Sequence, residues 1–170
     1  MSTRDTLERL ARDWADPRQA VQHGRATWNR LQCSVDWSSG SGNAGMDVPP
    51  SLAEFWTVAA GARLFEDVMY GQWGLVLLSP DAARARTADF VKRRPRDALP
   101  GDLIVGHFSG DQELLLVRCD PGVPDYSQVL VALPLDRRED WYQAASDFGA
   151  FLIEYERAQG AKFWEELDWS

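Results

Sequence analysis

The sequence predicts an α+β domain with a single twisted antiparallel sheet flanked by helices. Three observations lead there. Five short apolar runs, at 63–65, 73–78, 103–108, 113–119 and 129–133, fill the middle of the chain. The later runs are joined by short segments rich in Gly, Ser, Asp and Pro, and a parallel pair would need a crossover of a dozen residues or more. Stretches with apolar residues on a 3.6 period lie on both sides of this middle, which is the signature of helices with one buried face. The length of 170 residues, with 45% apolar and 26% charged side chains, suits one domain over 1–170. Its expected parts are N-terminal helices in 1–32, a mobile loop at 38–45 and a core over about 48–165.

The elements follow in order. Ser2 or Thr3 caps a first helix, on which Leu7, Leu10, Ala11 and Trp14 share a face. Asp16-Pro17 reads as the opening of a second helix carrying Val21, Trp28 and Leu31, weakened by Gly24. Periodicity stops between Cys33 and Val48, and Ser/Gly composition marks 38–45 as a surface loop. Pro49-Pro50-Ser51 opens a third helix running to Ala60, with Leu52, Phe55, Trp56 and Ala59 inward and Gly61 as a left-handed stop. Residues 81–90 read as a short helix and 92–101 as an exposed basic loop. Ser109-Gly110-Asp111 turns one strand into the next. Ser146 caps a helix with Phe148, Phe151, Leu152 and Tyr155 at i, i+3, i+4 and i+7, and a last turn covers 161–167.

Charge narrows the function. The net charge is −8, and it is uneven. Residues 1–30 carry +2, 31–80 carry −4, 81–100 carry +3, and 101–170 carry −9 from 5 basic and 14 acidic side chains. An acidic chain disfavours nucleic acid as a direct partner, because phosphates demand a cationic face. The acidity of 101–170 is either a solvated surface or a face that draws in a basic partner. No apolar run nears the ~20 residues of a membrane span, and the first residues have no apolar signal core. A cytoplasmic protein is expected, with Cys33 and Cys119 as two reduced thiols rather than a disulfide.

Catalytic chemistry finds few candidates. His23 and His107 are the only histidines. His107 lies near Ser109 and Asp111, yet three such residues in one short turn rarely reach triad geometry. Gly106-His107-Phe108-Ser109-Gly110 places its serine one position late for a nucleophile elbow. No His/Cys spacing fits a metal, and the Gly-rich loop lacks the Lys-Ser/Thr ending that holds phosphate. The expectation is no enzyme, no metal and no cofactor. Of eight tryptophans, Trp14, Trp28, Trp56 and Trp73 have apolar periodic neighbours and are expected in the core. Trp37, beside the Ser/Gly loop, is either an interface anchor or part of a packed-down loop.

Several phrases, in this order, resemble the SMI1/KNR4 family (SUKH superfamily). They are Val48-Pro49-Pro50-Ser51-Leu52-Ala53-Glu54-Phe55-Trp56 through Ala60-Gly61, Trp73-Gly74-Leu75, and Ile104 to Asp111 running into Leu114-Leu115-Leu116-Val117. Phe148-Gly149-Ala150-Phe151-Leu152 and the pair Phe163-Trp164 complete the set. Together they span about residues 48–165. The long 38–45 loop and His107 depart from the family pattern. The resemblance implies a bacterial immunity protein: a non-catalytic antitoxin that neutralises a cytosol-acting toxin of a polymorphic toxin system by binding it. The other reading is a general interaction or regulatory module of the same fold with no toxin partner.

The expected partner is a protein, a toxin domain with a basic surface. The expected contact residues are Asp111 and Glu113 at the central turn and Asp120 and Asp125 in the 120–127 loop. These would gather into one acidic face, with Tyr126 and His107 as flat polar contacts and Trp37 as a separate anchor.

Overall fold

A computed structural model describes residues 2–37 and 42–165. The elements are α1 (Thr3–Asp13), β1 (Arg18–Gln22), β2 (Arg25–Trp37), α2 (Pro50–Val58), β3 (Ala59–Asp67), β4 (Leu75–Leu77), α3 (Pro80–Arg93), β5 (Asp102–Phe108), β6 (Leu114–Arg118), β7 (Val129–Ala132), β8 (Tyr142–Ala145) and α4 (Phe148–Arg157), with a 3-10 turn at Arg138–Asp140. The strands form one sheet in the order β1 to β8, each antiparallel to the next. The α+β layout with one antiparallel sheet is therefore present, and all five expected strands belong to it.

One face of the sheet carries the larger core. Helices α1, α2 and α4 pack on it and on one another. Leu7, Leu10, Phe55, Trp56, Phe148, Phe151 and Leu152 meet Leu64, Val105, Leu115, Val117 and Val131 there. Full burial of each large side chain contributes about 1.5–3 kcal/mol. The other face is covered in part by α3, over a small cluster of Phe90, Ile104, Leu116, Ala132 and Trp141. Burial on both sides explains why β5 and β6 are apolar almost without alternation: Leu103 and Val105 point one way and Ile104 the other. Ser2 caps α1 and Ser79 caps α3 through their hydroxyls.

Three expectations are corrected, and one strand is added. Residues 17–32 are not a helix but the β1–β2 hairpin. His23 and Gly24 both have positive φ, at 53° and 77°, which is what a two-residue turn matching the twist of its strands requires. Gly61 does not stop α2, which ends at Val58 because Ala59 is already extended and pairs with Trp37. Gly61 sits inside β3, where a Cβ would meet the Leu77 carbonyl oxygen at 2.9 Å. The cap of α4 is Asp147, whose carboxylate accepts the Ala150 N–H at 2.8 Å, rather than Ser146. Strand β8 was not foreseen at all. Of the 38–45 loop, 38–41 lie outside the described residues, and 42–45 form a turn. The last turn is present at 163–165; the rest of 161–167 beyond it lies outside the described residues.

Buried charge ties the β5–β6–β7 region together. Asp102, 8% exposed, accepts hydrogen bonds from Arg118 Nη1 at 2.7 Å and from Arg138 Nη1 at 2.6 Å. Arg118 Nε also donates to Asp125 at 3.0 Å. Such a network is costly to break from one side, because the partner left behind is a desolvated charge.

Candidate protein-interaction surface

The β1–β2 hairpin extends past the end of β3, since Leu31 already stands opposite Asp67, the last residue of β3. Residues 25–30 therefore have little beneath them, and all are exposed or half-buried. Thr27 Oγ1 accepts the Ala20 N–H at 2.9 Å and donates to the Asn29 carbonyl at 2.8 Å, holding the hairpin where its register shifts. Trp28 points away from this contact and is 79% exposed. Its ring stacks on Tyr70, itself 58% exposed, with centroids 6.2 Å apart and planes 5° from parallel. The placement of Trp28 in the core is overturned: the periodic neighbours that argued for burial belong to two strands, not to one helical face.

Tyr70 is held by a turn built on one carboxylate. Asp67 is buried, and its Oδ1 accepts the N–H groups of Met69 at 2.9 Å and Tyr70 at 3.2 Å. Its Oδ2 accepts the Gln72 N–H at 3.3 Å and Asn29 Nδ2 at 3.0 Å. Four donors on one side chain fix the 67–72 turn and join it to β2. Met69 and Val68 extend the apolar surface, at 52% and 42% exposure. Arg18 and Arg30 line a shallow depression with Trp28 and Met69. Arg18 also lies over the Trp14 ring at 3.7 Å. The side chains of Arg25 and Arg30 have no ion-pair or hydrogen-bond partner among the described residues. Exposed Trp and Tyr beside unpaired Arg is the composition that dominates binding energy in protein interfaces.

The expected contact residues lie elsewhere and do not converge. Asp111 and Glu113 stand at the turn after β5, whereas Asp120 and Asp125 follow β6 at its opposite end, as the pairings His107 with Leu114 and Asp102 with Arg118 require. Successive turns of a meander alternate between sheet ends, so a single acidic face from these four residues is excluded. Three of the four are also paired. Lys162 Nζ donates to Asp111 and to Glu113, the latter at 2.6 Å, with Glu113 only 7% exposed. Asp125 is held by Arg118. Asp120 Oδ1 accepts the Gly122 N–H at 2.9 Å, and Tyr126 is half-buried in the same loop. Trp37 ends β2 in a hollow formed with Arg4, Glu8, Ala11, Arg12, Thr57 and Val58 and is 47% exposed. It lies nine residues along the strand from Trp28, roughly 30 Å of extended chain, and so belongs to a separate patch. His107 sits on β5, half-buried, with its pKa lowered by burial and then by Arg86 and Arg63.

The titratable groups are arranged as structural parts. Burial pushes both thiols, Cys33 and Cys119, up to about 12, which removes the thiolate a nucleophile would need. Burial alone would lower the Lys162 amine; its hydrogen bonds to Asp111 and Glu113 outweigh that and raise it above the ordinary lysine value. Among the described residues no three His, Cys, Asp or Glu side chains come together as metal ligands, and no helix is long and apolar enough to cross a membrane. Trp28, Tyr70 and Asp67 escaped the sequence reading, although His23-Gly24 is a turn signal and Asp67 precedes Gly71 by a turn's length. No family model matches the chain, and no curated protein matches it.

Proposed function

We propose that this is a non-catalytic binding protein of the SMI1/KNR4 immunity type, which blocks a cytosol-acting toxin domain by covering it. The single observation that carries the reading is the Trp28–Tyr70 stack, held out in solvent by a rigid, carboxylate-built turn. A soluble domain that buries Trp164, Trp56 and Tyr155 completely but leaves this pair outside gains stability from covering it, and a partner surface is what covers it. The net charge of −8 supports long-range attraction to a basic toxin domain. At the contact itself, the Arg25 and Arg30 side chains ask for acceptors on the partner.

The test is co-expression with the product of the neighbouring gene. Rescue of growth by the wild-type chain supports immunity. Trp28→Ala should abolish rescue and weaken binding by at least about 2 kcal/mol, roughly 30-fold, at unchanged thermal stability. Failure to bind any neighbour's product would favour the regulatory module of the same fold.

A further inference from the structure

The basic segment 81–100 has no part in the surface above. Most of it is α3, which crosses the second face of the sheet diagonally. It starts at Ser79, beside β4, and finishes where Arg94 Nη1 donates to the Leu133 carbonyl at 2.8 Å, beside β7. A corner of that face stays uncovered. Its floor is a cross-strand row in register, His107 opposite Leu114 and Leu114 opposite Ala132. Its wall is one side of α3: Arg86, Asp89, Phe90 and Arg93. The result is an open cleft of about 630 Å³.

The charges in this cleft are unequally spoken for. Arg94 is committed to Asp97 and to two carbonyls. Arg93 meets Asp89 at 3.1 Å, in a pair that is largely exposed and so worth little. The side chains of Arg86 and His107 have no hydrogen-bond or ion-pair partner among the described residues. The lining thus carries more cation than anion inside a protein of net charge −8. Burial first, and then the charges of Arg86 and Arg63, lower the His107 pKa.

We infer that this cleft is a second binding site, and that its occupant is an extended acidic peptide segment of a protein partner. Arg86 and Arg93 are two helical turns apart, about 10.5 Å along α3. Carboxylates three residues apart on a chain in the extended polyproline II conformation, with three residues per turn, share one face and are separated by about 9.3 Å, so one such segment reaches both guanidinium groups. Its apolar stems would lie on Leu114, Ala132 and Phe90, with His107 free to donate or accept one hydrogen bond. The Gly71 rim follows Tyr70 directly in the chain, so a partner seated on the aromatic pair is close enough to extend such a segment into the cleft. The inference does not need that reading, because the cleft is tested alone.

The experiment is an NMR titration of the full chain with two synthetic peptides of equal composition. One has three glutamates spaced by two threonines; the other has the glutamates contiguous. Saturable shifts of the His107 ring signals are expected with the spaced peptide, with affinity at least about threefold better than the contiguous one. Arg86→Ala with Arg93→Ala should weaken it about tenfold or more, while Arg12→Ala, on α1, should not. Both arginines are exposed, so the variant folds. Absence of binding at low salt, binding unchanged in the double variant, or pyrophosphate binding as tightly as the spaced peptide would each overturn the inference. None of these outcomes touches the Trp28 test.

Discussion

Two turns stand side by side at one end of the sheet, 67–74 after β3 and 109–113 after β5, joined by a hydrogen bond from the Ser109 N–H to the Gly74 carbonyl at 2.9 Å. Both are organised by carboxylates, with opposite results. In the first, Asp67 takes its donors from backbone N–H groups and one amide. The turn is rigid while Met69 and Tyr70 stay free for display. In the second, Asp111 and Glu113 take theirs from a side-chain cation, Lys162, which lies over the Trp73 ring at 5.4 Å and the Phe108 ring at 5.9 Å. That turn is clamped under the C-terminal segment, and its charges are neutralised. A carboxylate spent on backbone amides builds a platform; a carboxylate spent on a lysine closes a seam. The acidic count of a segment therefore says little about how much negative field reaches solvent.

Removing each organiser sharpens this contrast. Asp67→Ala should have the largest effect, a loss of about 3 kcal/mol by urea unfolding, because it strands several partly buried donors at once. The Trp28–Tyr70 stack should also loosen, visible as a changed near-ultraviolet circular dichroism. Wild-type stability would show that water replaces the carboxylate and that the platform is not built as described. Lys162→Met comes next, at about 2–3 kcal/mol, since Glu113 is left nearly buried without its cation. Adding Glu113→Leu to that variant should restore most of the loss; if the double variant is as unstable as the single, the lysine acts through its ring contacts and not through the carboxylate.

The smallest effect concerns pH. His107 has a folded pKa below the ordinary 6.5, because of burial and then Arg86 and Arg63. Between those values the unfolded chain binds the proton and the folded one does not, so stability should fall as pH drops through 6.5 and level off below the folded value. His107→Gln should flatten that part of the pH–stability curve. An unchanged slope would place the linkage on another group.

The strands with apolar runs were legible because β5, β6 and β7 are buried on both faces, and their composition leaves little else to read. Strand β8, Tyr142–Ala145, buries only Ala144 among its four residues, so its identity comes from pairing with β7 and not from its own side chains. The β1–β2 hairpin misled for a related reason. Val21, Trp28 and Leu31 fall on a helical period by coincidence, while the decisive information lies in the His23-Gly24 backbone. The acidic residues were visible, but their partners were not: Lys162 is 49 residues from Glu113, and nothing local connects them. Of the expected contacts, only Asp111, Glu113 and Asp125 form ion pairs among the described residues; the exposed aromatic pair joins residues 28 and 70, a separation no periodicity spans.

The strictly sequential strand order has a consequence for synthesis. Every strand pairs with the one just made, across a turn or loop or, at β2–β3 and β4–β5, across a connection that contains one helix, so the sheet can lengthen as the chain leaves the ribosome. Its apolar face cannot be sealed on the same schedule. The cover needs α1 and α4 together, and they are locked by Arg9 to Glu156 at 2.7 Å across almost the whole sequence. A nascent chain therefore carries a growing, unroofed hydrophobic sheet until residue 157 emerges, and that interval is when a chaperone would be needed and when premature termination would yield aggregates.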